Sequence, residues 1–599
     1  MTQSYEVDLQ PVGRRATVTA EQTLLEAAQS AGVELVAVCG GTGTCATCRV
    51  RVMSGELSPV TANEEFELGA ENLKAGDRLA CQARPLSDVR LDIPPESLTT
   101  PQRTQIEGRE VEIDLDPVIR PIEVELPAPD LFDLRSDVTR LQAALNAPAL
   151  TIEYPLLRDL SDRLRQYEWR AYVAQRGSHV IAVLPREARL IGLAVDVGTT
   201  KLAAYLVDLE QGRTVAKLGA MNPQIAYGED VVSRIAYCNN HADGRATLQR
   251  KLIDTLNGLI GELSREANVT RDQIVDAVIV GNTAMHHLLA GLPVHQLGTS
   301  PYVAVVSDAL DVRASDIGLE IAPGAWIYLP PNIAGFVGAD HVSMLLATDI
   351  WQTDKTAVAL DIGTNTEITV AHEGQLVCCS CASGPAFEGA HIGAGMRAAP
   401  GAIERVQITD GDLRVHTIGQ QPPVGICGSG ILDAIAEMLK AGLINTRGVL
   451  RKDHPRVRVR DSKAEFVLSP ALFSGHGRDV TISRSDVNEI QLAKSAIRVG
   501  IDVLLAECGM TADDIDEFIV AGAFGTYLDL DSAVRIGMFP DVPRERFQQV
   551  GNAAGTGARQ MLVSAQRRRL AQDLAQRNRY IELTTYPDFT QRYVAALYF

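Results

Sequence analysis

Leu193-Ala194-Val195-Asp196-Val197-Gly198-Thr199-Thr200 returns 165 residues later as Val358-Ala359-Leu360-Asp361-Ile362-Gly363-Thr364-Asn365. Each copy is a short aliphatic run that reads as a buried strand, delivers one aspartate at its end and then meets a glycine. A turn of this kind lets backbone amides and hydroxyl side chains face phosphate oxygens, and the aspartate suits Mg2+ or its bound water. One copy alone is weak, because Asp-x-Gly-Thr also occurs in ordinary strand-turn-strand units. Two copies imply two related halves. The candidate phosphate and metal contacts are therefore Asp196, Gly198, Thr199 and Thr200 in the first half and Asp361, Gly363, Thr364 and Asn365 in the second. The plain alternative for each is a strand terminus or a turn.

Further along, Phe518-Ile519-Val520-Ala521-Gly522-Ala523-Phe524-Gly525 is another apolar strand that ends in small residues. With the two repeated hairpins, it resembles the superfamily of acetate and sugar kinases, heat-shock chaperones and actin, in which two ribonuclease-H-like halves close on ATP. That resemblance implies that Asp196 and Asp361 organise Mg-ATP and that Gly522 and Gly525 border the nucleoside. Other glycine-rich turns fit the same plan: Gly281-Asn282-Thr283, Gly384-Pro385-Ala386-Phe387-Glu388-Gly389, Cys427-Gly428-Ser429-Gly430 before an apolar helix over Ile431–Leu439, and the glycines around Asn552-Ala553-Ala554. Glycine serves cleft contact and close packing alike, so both roles stay open for these. Glu367 is polar and near the second hairpin, and is either a water-orienting group or an outward strand residue.

Four of the ten cysteines fall within the first 81 residues. Cys39, Cys45 and Cys48 lie in Cys39-Gly40-Gly41-Thr42-Gly43-Thr44-Cys45-Ala46-Thr47-Cys48, and Cys81 comes after 32 intervening residues. Three thiolates on one loop wrap an iron-sulfur unit only if the backbone turns tightly, which Gly40, Gly41 and Gly43 permit. A structural zinc site is the alternative, but zinc favours paired short cysteine spacings that this loop does not offer twice. The flanks predict a strand over Tyr5–Leu9, a helix through Leu24–Ala28 and a strand over Arg49–Met53. The segment resembles 2Fe-2S ferredoxins with five residues between the first two ligands, and Cys39, Cys45, Cys48 and Cys81 are the implied metal ligands.

Residues 94–130 hold prolines at 94, 95, 101, 117, 121, 127 and 129, the composition of an extended tether or a passive spacer. Residues 131–188 predict a small domain with helices near Val138–Leu145 and Leu157–Tyr167 and a strand over Ser178–Leu184. The expected organisation is multidomain α/β and α+β: a ferredoxin-like β-grasp domain at 1–93, the linker at 94–130, the small middle domain at 131–188, and the two-lobed ATP-binding region at 189–599. A net charge of -19, from 75 acidic and 56 basic residues, disfavours nucleic acid as a partner. No apolar run approaches the roughly 20 residues of a membrane span, and Met1–Gln10 lacks the pattern of a secretory signal, so a cytoplasmic location is expected.

Two further groups invite a metal and are better read as packing. His286 and His287 sit at a helix start beside a glycine turn, where capping or packing is the usual role. Cys378, Cys379 and Cys381 lie on an apolar strand whose side chains alternate, so all three cannot easily meet one ion, and buried free thiols are expected.

Taken as a whole the chain resembles the reductive activators of corrinoid-dependent enzymes, in the branch whose cluster is an N-terminal 2Fe-2S unit. The resemblance rests on the cysteine spacing, the proline-rich stretch, the paired phosphate hairpins, and the segments Val280–His287 and Gly384–Ala390. It implies ATP-dependent delivery of one electron from the 2Fe-2S cluster to a corrinoid protein, returning inactive cobalt(II) to cobalt(I) for methyl transfer. The implied cofactors are the cluster, ATP and Mg2+. The implied partners are a corrinoid protein and an upstream electron donor, with a homodimer also carried. Two alternatives from other classes stay open: an ATP-binding redox sensor, and a phosphotransferase with a regulatory cluster.

Overall fold

In the computed structural model the two repeated segments become the central strands of two sheets built on one plan. Ile191–Val197 pairs antiparallel with Lys201–Asp208, which pairs with Arg213–Met221. Its other edge runs parallel to Ile274–Gly281, next to which lie Trp326–Leu329 and the edge strand Leu310–Arg313. Ala357–Ile362 likewise pairs antiparallel with Thr366–His372, then Gln375–Cys381, and runs parallel to Glu517–Ala521 and Phe547–Gly551. A short parallel strand, Asn578–Tyr580, completes the second sheet. Parallel pairing needs long crossovers, and helices Val231–Asn240 and Gly244–Ala267 supply the first. Because helices cover these sheets, the central strands read as continuous apolar runs instead of alternating ones.

The structure describes residues 4–10, 14–31, 33, 35, 37, 39–93, 97, 114–389, 391–409, 411–460 and 463–599. Most of the proline-rich stretch expected to be a tether or spacer, 94–96 and 98–113, lies outside the described residues. Its C-terminal part is not all spacer. Arg120–Glu125 is a strand, joined to Arg170–Arg176, His179–Leu184 and Thr151–Ile152 in a four-stranded sheet. Helices Asp137–Ala144 and Tyr154–Gln166 pack on it through Leu141, Leu156, Leu160 and Leu164. Pro121 is tolerated within Arg120–Glu125 because that strand lies at the sheet edge, where one side of its backbone needs no partner.

The N-terminal sheet has the order Arg14–Thr19, Ser4–Gln10, Val89–Asp92, Arg49–Ser54, Asp77–Leu79, with Ser4–Gln10 and Val89–Asp92 parallel. Its helices Leu24–Ser30 and Ala62–Lys74 both begin with a capping box, Thr23 with Glu26 and Thr61 with Glu64. Val7, Leu9, Leu24, Leu35, Val50, Leu79 and Leu91 form a closed core under the cysteine loop. Among the described residues no helix is long and apolar enough to cross a membrane.

The two large lobes are tied by a helix that leaves its own sheet. Ala553–Val563 comes directly after the edge strand Phe547–Gly551 of the second lobe but packs on Ile191–Val197 and on helix Ala339–Thr348 of the first. Ser343 Oγ donates to the Ala554 carbonyl at 2.6 Å, and a Cβ at Gly557 would come within 2.1 Å of the Ser343 carbonyl oxygen. Close packing is therefore the role of Gly557.

Candidate functional site

The register of the two sheets decides where the repeated aspartates go. Asp196 pairs with Val280 and Asp361 with Ala521, each one residue from the carboxyl end of its strand. Open α/β sheets bind ligands outside the carboxyl ends of parallel strands. The lobes face each other there, and one cleft of about 230 Å3 is lined by Asp196, Gly198, Thr199 and Thr200 from the first hairpin and Asp361, Gly363, Thr364 and Asn365 from the second.

Gly522 also lines this cleft, whereas Gly525 does not. A Cβ on Gly522, at φ +91°, would come within 2.7 Å of Asp361 Oδ1, so the backbone can pass the aspartate only as glycine. Gly525 packs against Val520, and its carbonyl accepts from Gln549 Nε2 at 2.6 Å. Phe387 and Phe524 stack at 4.9 Å on the same wall as Gly428, Ser429 and Tyr527.

Several cleft residues lie outside the two hairpins. Glu388 spans both: Thr200 Oγ1 donates to its Oε2 at 2.6 Å and Thr364 Oγ1 to its Oε1 at 2.7 Å. Asn552 Nδ2 donates to Asp196 Oδ2 at 2.9 Å, and Asn282 Nδ2 to Thr199 Oγ1 at 3.0 Å. Asp340 enters from the start of helix Ala339–Thr348. Its only sequence signal is a neighbouring glycine, Gly338, where a Cβ would come within 2.4 Å of the Asn282 Cα. Glu388 stands in the segment Gly384–Gly389, but as one polar residue among glycines it carries no sign of bridging two lobes.

Burial gathers these carboxyls in low dielectric. It pushes Asp196 up to about 6, opposed by the hydrogen bond from Asn552. Burial and then the charge of Asp196 push Asp361 up to about 7, and burial with Asp361 and Asp196 pushes Asp340 up to about 8. Glu367, raised by burial and by Asp340 and Asp361, faces into the cleft and accepts from Ser380 Oγ at 3.2 Å. It is thus an inward residue, not an outward strand residue. Buried acids held above their normal range, first by desolvation and then by neighbouring carboxylates, are poised for a cation. Among the described residues no three His, Cys, Asp or Glu side chains already surround a single ion position. Mg2+ needs none, since one or two carboxylates with water and phosphate commonly hold it.

In the N-terminal domain Cys48 and Cys81 are buried and Cys39 and Cys45 half-buried. The thiols contact in pairs: Cys39 with Cys45 and with Cys81, and Cys48 with Cys81, contacts that lower Cys39 and Cys48 and raise Cys45 and Cys81. Pairwise convergence of four sulfurs suits a two-iron unit, which spreads its ligands over two metals. Gly43 has φ +81°, and a Cβ there would come 2.7 Å from Gln82 Cδ. Gln82 Nε2 in turn donates to the Gly41 carbonyl at 3.0 Å. This domain also touches the first large lobe: Gly40 of the loop lies against the Tyr227 carbonyl, and Gln29 Nε2, from helix Leu24–Ser30, donates to the Ala226 carbonyl at 3.3 Å.

The two remaining metal candidates are packing groups. His287 Nε2 accepts from the Val305 amide at 3.0 Å, and burial holds both His286 and His287 below the normal histidine range. Cys379 and Cys381 share a strand face 3.9 Å apart, and Cys378, Cys379 and Cys381 are all buried.

Family descriptions match nearly the whole chain in four consecutive pieces. They are a 2Fe-2S iron-sulfur cluster binding domain at 7–86, the RACo linker region at 108–189, the RACo middle region at 191–353, and the C-terminal, ASKHA domain of RACo at 355–599. The small four-stranded sheet thus falls within what that family terms its linker. Corrinoid activation enzyme RamQ of Eubacterium limosum is 31% identical over 593 residues, 96% of each chain. A reductase of the Co(II) methylated amine-specific corrinoid protein from Methanosarcina barkeri is 25% identical over 409 residues, covering 63% of this chain and 71% of that one. A solved structure of a reductive activator for corrinoid, iron-sulfur protein is similar over 99% of this chain and 98% of its own, at TM-score 0.72 and 35% identity.

Proposed function

We propose that this chain, which belongs to the family of reductive activators of corrinoid proteins, uses ATP to drive single electrons from a 2Fe-2S cluster onto a corrinoid protein, converting its cobalt(II) to cobalt(I). The observation that carries the reading is one chain joining a four-cysteine loop to a cleft where two repeated hairpins oppose Asp196 and Asp361.

When bound, the cluster supplies one electron at a time at a potential near about -400 mV for plant-type centres, and each further 100 mV demanded by the acceptor costs about 2.3 kcal/mol. Hydrolysis of ATP can offset such a deficit if the nucleotide states differ in affinity for the partner. Cys39, Cys45, Cys48 and Cys81 would hold the irons as thiolates. Asp196 and Asp361 would hold Mg2+, directly or through water, and Asn552 keeps Asp196 oriented. Thr199, Thr200, Thr364 and Asn365 would contact phosphates with the hairpin amides, and Gly522 would let the nucleoside approach the backbone. Glu388, which accepts from Thr200 and Thr364, is the carboxylate we assign to orient the attacking water.

The test is anaerobic visible spectroscopy of a corrinoid protein poised as cobalt(II), mixed with this protein and a reductant, with and without Mg-ATP, and with a methyl donor to trap product. ATP-dependent appearance of cobalt(I) or methyl-cobalt, lost in Cys45→Ser and in Asp361→Ala, is the expected result. Absence of any ATP-dependent change across several corrinoid proteins, with cluster and nucleotide both bound, would sink the proposal.

A further inference from the structure

Thr200 stands at the tip of the first hairpin and Thr364 at the tip of the second, and one carboxylate takes a hydrogen bond from each. The Thr200 hydroxyl donates to Glu388 Oε2 at 2.6 Å and the Thr364 hydroxyl to Glu388 Oε1 at 2.7 Å. Glu388 follows strand Gln375–Cys381 in the second lobe, so the first of these bonds crosses between the lobes while the second stays within one. All three side chains line the cleft. A threonine hydroxyl carries a single proton, whereas an ionised carboxylate and a phosphate oxygen both only accept. The same hydroxyl therefore cannot donate to Glu388 and to a phosphate at once.

Thr199 differs from this pair. Its Oγ1 accepts from Asn282 Nδ2 at 3.0 Å, a bond that uses a lone pair and not the hydroxyl proton. The backbone around Thr200, Thr364 and Glu388 is fixed. The Asn222 amide donates to the Thr200 carbonyl at 2.9 Å, and Ser383 Oγ to the Thr364 carbonyl at 3.3 Å. Glu388 lies between two close approaches of backbone to backbone: a Cβ on Gly428 would come within 1.7 Å of the Phe387 carbonyl oxygen, and one on Gly389, at φ +83°, within 2.4 Å of the Met396 carbonyl oxygen. With the chain pinned on both sides of it, Glu388 changes partner by rotating its side chain and not by moving its loop.

We infer that Glu388 and the phosphates of ATP compete for the hydroxyl protons of Thr200 and Thr364, and that the bond from Thr200 to Glu388 is a latch between the lobes which nucleotide opens. The inference rests on the reading that the cleft takes ATP, and it orders the events there. Phosphate oxygens take the two hydroxyls, Glu388 loses two donors and turns, and its oxygens are then open to accept from the attacking water. A carboxylate engaged by both hairpins is withheld from water, so the chemistry waits for the phosphates. The latch also gives nucleotide a different contact in each of two arrangements of the lobes, which a shift in affinity for a partner requires.

The experiment compares the full-length, cluster-loaded wild type with Glu388→Ala, Glu388→Gln, Thr200→Val and the double variant Thr200→Val with Glu388→Ala. Calorimetry measures binding of the non-hydrolysable imido analogue of ATP with Mg2+. Melting temperature is read with and without saturating analogue, and kcat is measured for ATP hydrolysis. The expected result for Glu388→Ala is analogue affinity about tenfold tighter than wild type, because the competitor for the hydroxyls is gone, and kcat lower by about a hundredfold, because the water has lost its carboxylate. Glu388→Gln, which keeps the shape and loses the charge, should move both quantities the same way by smaller factors. In nucleotide-free protein the changes in melting temperature from Thr200→Val and Glu388→Ala should be non-additive, as for two halves of one bond, and with analogue bound they should add. Analogue affinity that is unchanged or weaker in both Glu388 variants overturns the inference, since the carboxylate would then support nucleotide instead of opposing it. Additive changes in nucleotide-free protein, or non-additivity that persists with analogue bound, overturn it as well, because the bond would then carry no tie or would survive beside the phosphates. A wild-type chain that binds no analogue overturns the ATP reading itself, a failure visible before any variant is made.

Discussion

The cysteine loop and the cleft between the two large lobes are built by opposite strategies. In the loop, three of four sulfurs come from a ten-residue stretch, Cys39–Cys48, and one small core beneath it holds the fourth, Cys81. In the cleft, the groups that line one wall-to-wall space come from positions as distant as Asp196, Asp340, Asp361, Glu388 and Asn552, and from both lobes. A site made by one loop stands or falls with its local geometry. A site shared by two lobes exists only when they close to the right distance, which makes it the natural place to couple a chemical step to movement.

The largest expected effect tests whether the two regions are separable. Cys45→Ser should abolish the visible absorbance of the cluster and all electron delivery, while ATP binding stays within about twofold of wild type because each region has its own core. Loss of ATP binding in that variant would break the comparison, and would give weight to the contacts of Gly40 and Gln29 with the 226–227 segment.

Next in size is Asp361→Asn, with an expected fall in ATP turnover of about 10²- to 10³-fold and an unchanged cluster spectrum. A smaller loss, about tenfold in turnover, is expected for Asn552→Ala, which removes one hydrogen bond to the Asp196 carboxylate. If Asn552→Ala costs as much as Asp361→Asn, Asn552 is itself a ligand contact and not an orienting group.

The smallest effect is on stability and sharpens the picture of the cleft as a cluster of buried carboxyls. Asp196, Asp361 and Asp340 are held at about 6, 7 and 8 in the folded chain, above the usual aspartate value. Acids with raised folded values keep protons that the unfolded chain has already released, so stability falls as pH rises through that window, by up to about 1.4 kcal/mol per pH unit for each group titrating. In EDTA the transition of the large lobes should therefore move to lower temperature between pH 6 and pH 8. Mg2+ with nucleotide should reduce that slope, and Asp361→Asn should raise the pH 8 transition in EDTA. Calorimetry showing the opposite slope would refute the account of buried, proton-holding carboxyls.

Legibility in the sequence divides along the same line. The cysteine spacing needs no long-range information, because loop length and glycine content already limit what the sulfurs can surround. The hairpins are legible through their repetition, and the pairing of Ile191–Val197 with Lys201–Asp208 and of Ala357–Ile362 with Thr366–His372 agrees with their alternation of apolar strand and glycine turn. Gly525 is less legible, because a glycine after a strand says only that something comes close, and the close protein neighbour here is Val520. The strand Arg120–Glu125 is obscured by the prolines around it, which an edge strand tolerates.

By itself, then, the sequence determined the chemistry on offer: four thiols at a cluster-binding spacing, and two aspartates at the ends of two like strands. Only the tertiary structure decided which other groups join them. Glu388 bridges the hydroxyls of Thr200 and Thr364, and Asp340 enters from a helix start. The physical reason is that charge in a cleft acts through space. Its partners are set by how two lobes pack on helices Ala339–Thr348 and Ala553–Val563, and no local pattern of residues encodes that distance.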